Sequence, residues 1–349
     1  MDKTVNASTN LLAANQKLEF VCPRCKKDLH SHDNKFHCVA CKSDYPIIAG
    51  IPDFRIFEDP YLTFEEDSSR TQIVLDAIDK YPLRELLTYY WSFSDVTPPY
   101  LREKFVENAM RGESRGKRLF DLILNNKKSA KSFIEIGCGT GNLLTTAVQN
   151  VDHVVGTDIA MRWLHLSRRR FQDMGLEVPA LVCCCAEALP FKENSFDSAI
   201  MASTFEFLKQ PDEALQELSR TMTSDGHAVI NTVNRFSLTT NPYAHLWGVG
   251  FLAKSLQIKY VRKRRDASFE NITLFSFRNI KKTTKKYFAQ IKIELADISD
   301  KTLNTLPIKS QALVKLYRIL KKIPLLNYLL KQVTPEWDIH LKNPIKVKR

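Results

Sequence analysis

The sequence predicts an α/β fold: a doubly wound, mostly parallel seven-stranded sheet joined to a small N-terminal cysteine-rich unit. Three observations predict it. From residue 132 onward, short apolar runs of strand length alternate with intervals that read mostly as helix. A glycine-rich turn, "GCGTG", follows the first run. Two CxxC pairs stand near the N-terminus.

The strands read in order as "SFIEIG" (132–137), "HVVGTDI" (153–159), "ALVCCCA" (180–186), "FDSAIMAS" (196–203) and "GHAVINTV" (226–233). "SFRNIKKTTKKYFAQIKIELADIS" (276–299) reads as a helix and a sixth strand, and "TPEWDIHLKN" (334–343) as the last. Two helices have legible ends: Pro211, Asp212 and Glu213 suit a helix N-terminus, and Gly175 suits a C-terminal cap. Outside these elements, the expected organisation is a disordered tail at 1–18, a ribbon at 19–57, a helical linker or cap at 58–116 and the sheet domain at 117–349. Insertions are expected at 237–275 and 300–333.

In an open parallel sheet, ligands bind at the carboxyl ends of the strands, and the turn after the first strand approaches them most closely. Gly137, Gly139 and Gly141 occupy that turn, where missing side chains admit positive φ and close backbone approach. A dinucleotide fingerprint needs a small residue where Asn142 stands, and a Walker loop needs Gly-Lys-Ser/Thr, so phosphate cradling is disfavoured. Asp158 ends the second strand, where a carboxylate can accept hydrogen bonds from both ribose hydroxyls.

These residues, "EIGCGTGN", "GTDIA", "AEALPFKENSFDSAI" and "GHAVINTVN", resemble the class I S-adenosylmethionine-dependent methyltransferases, a Rossmann-like family, over about Phe133 to Asn234. The resemblance implies S-adenosylmethionine as cofactor. By it, Glu135, Gly137, Gly139 and Gly141 border the methionine part and Asp158 binds the ribose, with Cys138 and Ile159 also among the cofactor-binding residues. Ala186 and Glu187 would neighbour the adenine, and Ser203 would complete the site. Two positions depart from the pattern: Cys185 stands where an acidic or polar residue is usual, and "FEF" (205–207) replaces Leu-Glu-His. Phe207 therefore cannot serve as acid or base. Glu206, Tyr243 and His245 are candidates to assist a proton transfer, but each reads first as a surface or packing residue, and no catalytic residue is assigned. "NPY" at Asn241 lies beyond strand five, out of place for the Asn-Pro-Pro-Tyr motif of amino-group methyltransferases. Cys183, Cys184 and Cys185 sit on or just after strand three and read as buried apolar residues rather than covalent nucleophiles.

"CPRC" (22–25) and "CVAC" (38–41) have the spacing of a tetrahedral S₄ zinc site, so Cys22, Cys25, Cys38 and Cys41 are the expected ligands of a structural Zn²⁺. With "YPIIAGIPDF" (45–54), this region resembles small bacterial zinc ribbons and the zinc-ribbon activator of tRNA and protein methyltransferases.

Net charge is +12, and from Gly250 onward 23 Lys and Arg face 7 Asp and Glu, against 28 and 32 before it. That excess points to an anionic neighbour, nucleic acid or lipid headgroups, or to a merely solvated face. Residues 306–333 mix leucines with lysines and suit a lid, a helix on an anionic membrane surface, or, as the favoured expectation, a core-facing amphipathic helix. Tyr243 and Trp247 are candidate pocket walls. The expected function is methyl transfer to a small-molecule or lipid-like acceptor, with rRNA or tRNA base methylation as the alternative and a non-catalytic cofactor-binding activator as the third reading. No apolar run approaches the ~20 residues of a membrane span. The N-terminal segment lacks a signal-peptide pattern, so a cytoplasmic location is expected, with peripheral membrane contact left open.

Overall fold

The structure is a computed structural model that describes residues 18–93, 99–125, 130–298, 300–304 and 307–346. Apart from Leu18, the expected disordered tail falls outside them. The chain begins with a four-stranded antiparallel ribbon, β1 (His30–His32), β2 (Lys35–Cys38), β3 (Ser43–Ile48) and β4 (Ile51–Pro52). Four helices follow: α1 (Phe64–Ala77), α2 (Leu83–Ser92), α3 (Pro99–Arg111) and α4 (Glu113–Leu124). Thr63 and Glu66 start α1 with a reciprocal capping box. The expected boundary at 116 falls inside α4.

The sheet domain continues with β5 (Ser132–Ile136), α5 (Leu144–Ala147), β6 (His153–Asp158), α6 (Met161–Met174), β7 (Ala180–Cys183) and β8 (Phe196–Ala202). It is completed by α7 (Pro211–Thr221), β9 (Met222–Val233), α8 (Lys254–Arg265), α9 (Phe277–Thr284), β10 (Phe288–Leu295), α10 (Asp300–Asn304), α11 (Ile308–Leu320), α12 (Pro324–Val333) and β11 (Glu336–Pro344). Gly175 ends α6 at φ +64°, and Pro211 opens α7.

The seven-stranded order is β10-β11-β9-β8-β5-β6-β7, with β5 to β9 parallel to one another and β11 antiparallel to both β9 and β10. The order reverses at β5, which pairs with β6 on one side and β8 on the other, and such a reversal opens a crevice at the strand ends. One face of the sheet buries Phe120, Phe133, Leu164 and Phe171 with α4 and α6. The other buries Ile134, Leu215 and Leu218 with α7, and the ribbon's Phe20 and Phe54 share this core.

Two expectations are corrected. The interval from β7 to β8 is not helical beyond a single 3₁₀ turn at Ala186–Ala188; Pro190 and the left-handed Asn194 (φ +58°) break any longer helix. Residues 306–333 do not supply a core-facing helix: α11 and α12 contain no buried residue. Their apolar periodicity is real, but Leu313, Leu316, Ile319, Leu325 and Leu329 are exposed, and Val314, Leu320, Leu326 and Leu330 are only half-buried.

Candidate active site

The crevice at the reversal is a cleft of about 290 Å³. Gly137 and Gly139 form its floor, and both hold left-handed backbone, φ +76° and +51°. They differ in what surrounds them. A Cβ on Gly137 would lie 2.2 Å from Thr204 Oγ1, whereas one on Gly139 would meet nothing within 4 Å. The bare Cα of Gly139 thus leaves open space at the cleft floor.

Asp158, at the carboxyl end of β6, joins the loop to the next helix. Its Oδ2 accepts the N–H of Gly139 and its Oδ1 that of Ala160, each at 2.9 Å. Burial pushes its carboxyl up to about 6, against the pull of those two donors. Ile159, Ala186, Glu187 and Ser203 also line the cleft. Glu187 Oε1 accepts the backbone N–H of Lys209 at 3.0 Å and of Gln210 at 3.3 Å, so this carboxylate ties down the approach to α7. Among the described lining residues Glu135, Cys138 and Gly141 are missing. Glu135 is buried and Gly141 packs against Ser167, so these residues shape the loop from behind.

Sequence reasoning missed a strap across the cleft, formed by the chain leaving the ribbon. Phe57, Asp59, Pro60 and Tyr61 all line it. Lys209 Nζ holds the strap by donating to Glu58 O at 2.9 Å while lying 4.8 Å from the Phe57 ring centroid. From the insertion after β9, Asn271 Nδ2 donates to Pro60 O. Below runs a buried charge network. Arg162 on α6 pairs with Asp59 at 3.0 Å and with Asp67 on α1; Arg55 pairs with Asp67 and Asp53, each at 2.6 Å. The local signal was the run of Asp and Arg at 53–59, but its partners lie far along the chain.

Glu206, Tyr243 and His245 separate on inspection. Glu206 is fully buried, accepts from Thr232 Oγ1 at 2.8 Å and from the Tyr243 hydroxyl, and burial raises its carboxyl above the ordinary range. Tyr243 also stacks edge-on with Phe207, 5.0 Å between centroids, and Phe207 with Tyr61 of the strap at 6.1 Å. His245 is exposed, and Trp247 is an exposed residue rather than a wall of this cleft. Asn241 Oδ1 accepts the N–H of Tyr243 at 3.0 Å and of Ala244 at 2.9 Å, giving "NPY" a turn-forming role. Burial raises the thiols of Cys183 and Cys184 well above their ordinary value, and that of Cys185 to about 11, which suits packing rather than attack.

In the ribbon, the sulfurs of Cys22, Cys25, Cys38 and Cys41 lie within 4.8 Å of one another, with Cys22 to Cys41 and Cys25 to Cys38 both 3.5 Å. Four thiolates around a tetrahedral zinc at ~2.3 Å would stand roughly 3.8 Å apart, so the donor set fits that ion. Each knuckle is closed by a left-handed lysine, Lys26 (φ 59°) or Lys42 (φ 57°). Lys26 continues onto the sheet domain and pairs with the buried Glu217 of α7 at 2.6 Å.

Fold and cleft together define a Rossmann-like α/β domain with a cleft at the strand reversal, and residues 134–230 match a family described as methyltransferase domain. Among proteins of similar sequence, demethylmenaquinone methyltransferase of Thermus thermophilus is 34% identical over 141 residues, 40% of this chain and 62% of that protein. The ubiquinone/menaquinone biosynthesis C-methyltransferase UbiE of Burkholderia mallei is 30% identical over 122 residues, 34% of this chain and 50% of that protein. The chain thus spans between half and two thirds of the length of these relatives. Among solved structures, Haemonchus contortus phosphoethanolamine N-methyltransferase 2 aligns with a TM-score of 0.46 at 18% identity, covering 80% of this chain and 60% of that one. A methyltransferase of Thermotoga maritima aligns at 0.42 and 18%, covering 71% and 99%.

Proposed function

We propose that the chain is an S-adenosylmethionine-dependent methyltransferase acting on a small-molecule or lipid-like acceptor. The observation that carries this reading is the meeting of Gly139 and Asp158 on one cleft. A bare, left-handed Cα leaves room for a ligand there, beside a carboxylate with lone pairs to spare for two hydroxyls. The methyltransferase-domain match and the quinone-methylating relatives support it.

The cofactor, when bound, supplies a methyl group already activated on a sulfonium sulfur. Within that reading the chain's own residues do three things. Gly137, Gly139 and Asp158 hold the cofactor, with Ile159, Ala186, Glu187 and Ser203 around it. The strap from Phe57 to Tyr61 covers the cleft and limits water. Tyr61 and Phe207 present aromatic surface there, which favours both a cation and an apolar acceptor. Glu187 is occupied by backbone donors and Cys184 is held as a thiol, so the described lining favours an acceptor that is nucleophilic without a strong base. We further assign a structural Zn²⁺ to the four ribbon cysteines.

The test is incubation of the purified protein with methyl-labelled S-adenosylmethionine and a cell extract fractionated into RNA, protein, lipid and small molecules. Label in the lipid or small-molecule fraction is expected. Label in RNA instead would assign the basic C-terminal region to nucleic acid; binding of cofactor with no transfer to any fraction would indicate an activator.

A further inference from the structure

The two insertions at the cleft end of the sheet are built unlike the rest of the molecule. In α12, Leu325, Tyr328 and Leu329 stand at i, i+3 and i+4 and share one face; all are exposed, Leu325 to 69%. Leu313, Leu316 and Ile319 of α11 are exposed as well. In the other insertion, Trp247, 61% exposed, stacks on the exposed Phe251 at 6.1 Å between centroids. The N–H of Leu238 donates to Val333 O at 3.1 Å and stitches the two insertions together. Large apolar side chains left in water over such a span mark a contact surface.

Charge says what kind. Residues 237–275 carry six basic and two acidic side chains and residues 300–333 seven and one, so +4 and +6 of the net +12 reside here. Arg262, Arg318 and Lys321 are answered by Glu270 and Asp297. Lys259, Lys263, Arg264, Lys309, Lys315 and Lys322 are exposed, with no ion pair among the described residues.

We propose that this composite surface rests on an anionic lipid bilayer, with the leucines and Trp247 at headgroup depth and the free amines among lipid phosphates. Other occupants fit less well. A second copy would bring like-charged insertions together. Single-stranded RNA would be met by stacking aromatics rather than by leucines. No helix among the described residues is long and apolar enough to cross a membrane, so the helices lie on the surface. Both insertions leave the sheet at the end where the cleft opens, since Val233 of β9 pairs with Glu336 of β11 there. A lipid-like acceptor could thus be drawn from the bilayer. That last step rests on the function proposed above, whereas docking does not.

The test is co-sedimentation of the full chain with vesicles of phosphatidylcholine containing about 30% phosphatidylglycerol, against pure phosphatidylcholine, scored without any methyl transfer. Binding to the anionic vesicles should be at least about tenfold tighter, should weaken as salt screens the amines, and should drop by a similar factor in the double variant Leu325→Glu, Leu329→Glu. That variant should keep its melting temperature and its affinity for S-adenosylhomocysteine, since both side chains are exposed. A second variant, Lys309→Gln with Lys315→Gln and Lys322→Gln, should lose the preference for anionic lipid. Equal binding to both vesicles, no binding to either, or binding untouched by both variants would overturn the proposal, as would a stable dimer that the leucine variant dissociates.

Discussion

Arg162 and Asp59 meet at 3.0 Å beneath the cleft strap, joining a helix of the sheet domain to the chain that leaves the ribbon. The same guanidinium reaches Asp67, which Arg55 also engages from the ribbon side. Asp67 therefore faces two buried cations at once. Asp67→Ala would leave both short of a counter-charge, and a loss on the order of 3 kcal/mol is expected for breaking a buried pair of this kind. Urea unfolding of the two proteins measures it; a change below about 1 kcal/mol, the range of exposed pairs, would show the network to be energetically idle.

The two glycines of the loop should fail differently. In Gly137→Ala the new methyl collides with Thr204, so folding itself should suffer. In Gly139→Ala nothing blocks the methyl, and the fold should lose only the ~1 kcal/mol of a left-handed alanine. The methyl then occupies the cleft floor, and affinity for S-adenosylhomocysteine should fall at least about tenfold, worth ~1.4 kcal/mol. Calorimetry and thermal melting together separate the two outcomes.

On the proposed function, Asp158 should make cofactor affinity depend on pH. Its carboxyl is raised from the ordinary value near 3.8 to about 6 in the folded protein, so the fold binds that proton more tightly than the unfolded chain does. Across that window the group's contribution favours the fold less as pH rises, while the ionised form that accepts hydroxyl bonds becomes populated. Affinity for S-adenosylhomocysteine should thus be about tenfold weaker at pH 5 than above 7. Asp158→Asn should bind weakly and with a flat profile; a wild-type profile equally flat would remove Asp158 from the site.

Stripping the ribbon of metal should be felt at the cleft. The ribbon shares Phe20 and Phe54 with the core beneath the sheet, and Lys26 pairs with Glu217. Elemental analysis should find a single zinc per chain, and a chelator should lower the melting temperature and the affinity for S-adenosylhomocysteine together. Unchanged affinity in metal-free protein would mean that the strap stands without the ribbon.

The strands of the sheet were legible because β5 to β9 are mostly apolar, short runs bounded by turn residues, and buried on both faces as in a covered parallel sheet. Gly137 and Gly139 could be read as left-handed turn residues because few residues other than glycine adopt that backbone, and Asp158 as the residue that ends β6. Asp59 and Arg162 were not, being 103 positions apart with nothing local to announce the pairing. For α11 and α12 the apolar spacing was read and its direction was not. Periodicity tells which side chains share a face, and only the fold tells what that face meets.

The ribbon's last residues do something for the sheet besides crossing the cleft. β7 is an outermost strand, and Asp53 lies along it in parallel register with Cys183, with the N–H of Phe54 donating to Cys183 O at 2.7 Å. A bare strand edge invites pairing with other molecules. Zinc starvation should therefore show first as clumping, with light scattering rising in chelated protein before its circular dichroism collapses. Scattering that rises only after the helices melt would mean the edge is guarded some other way.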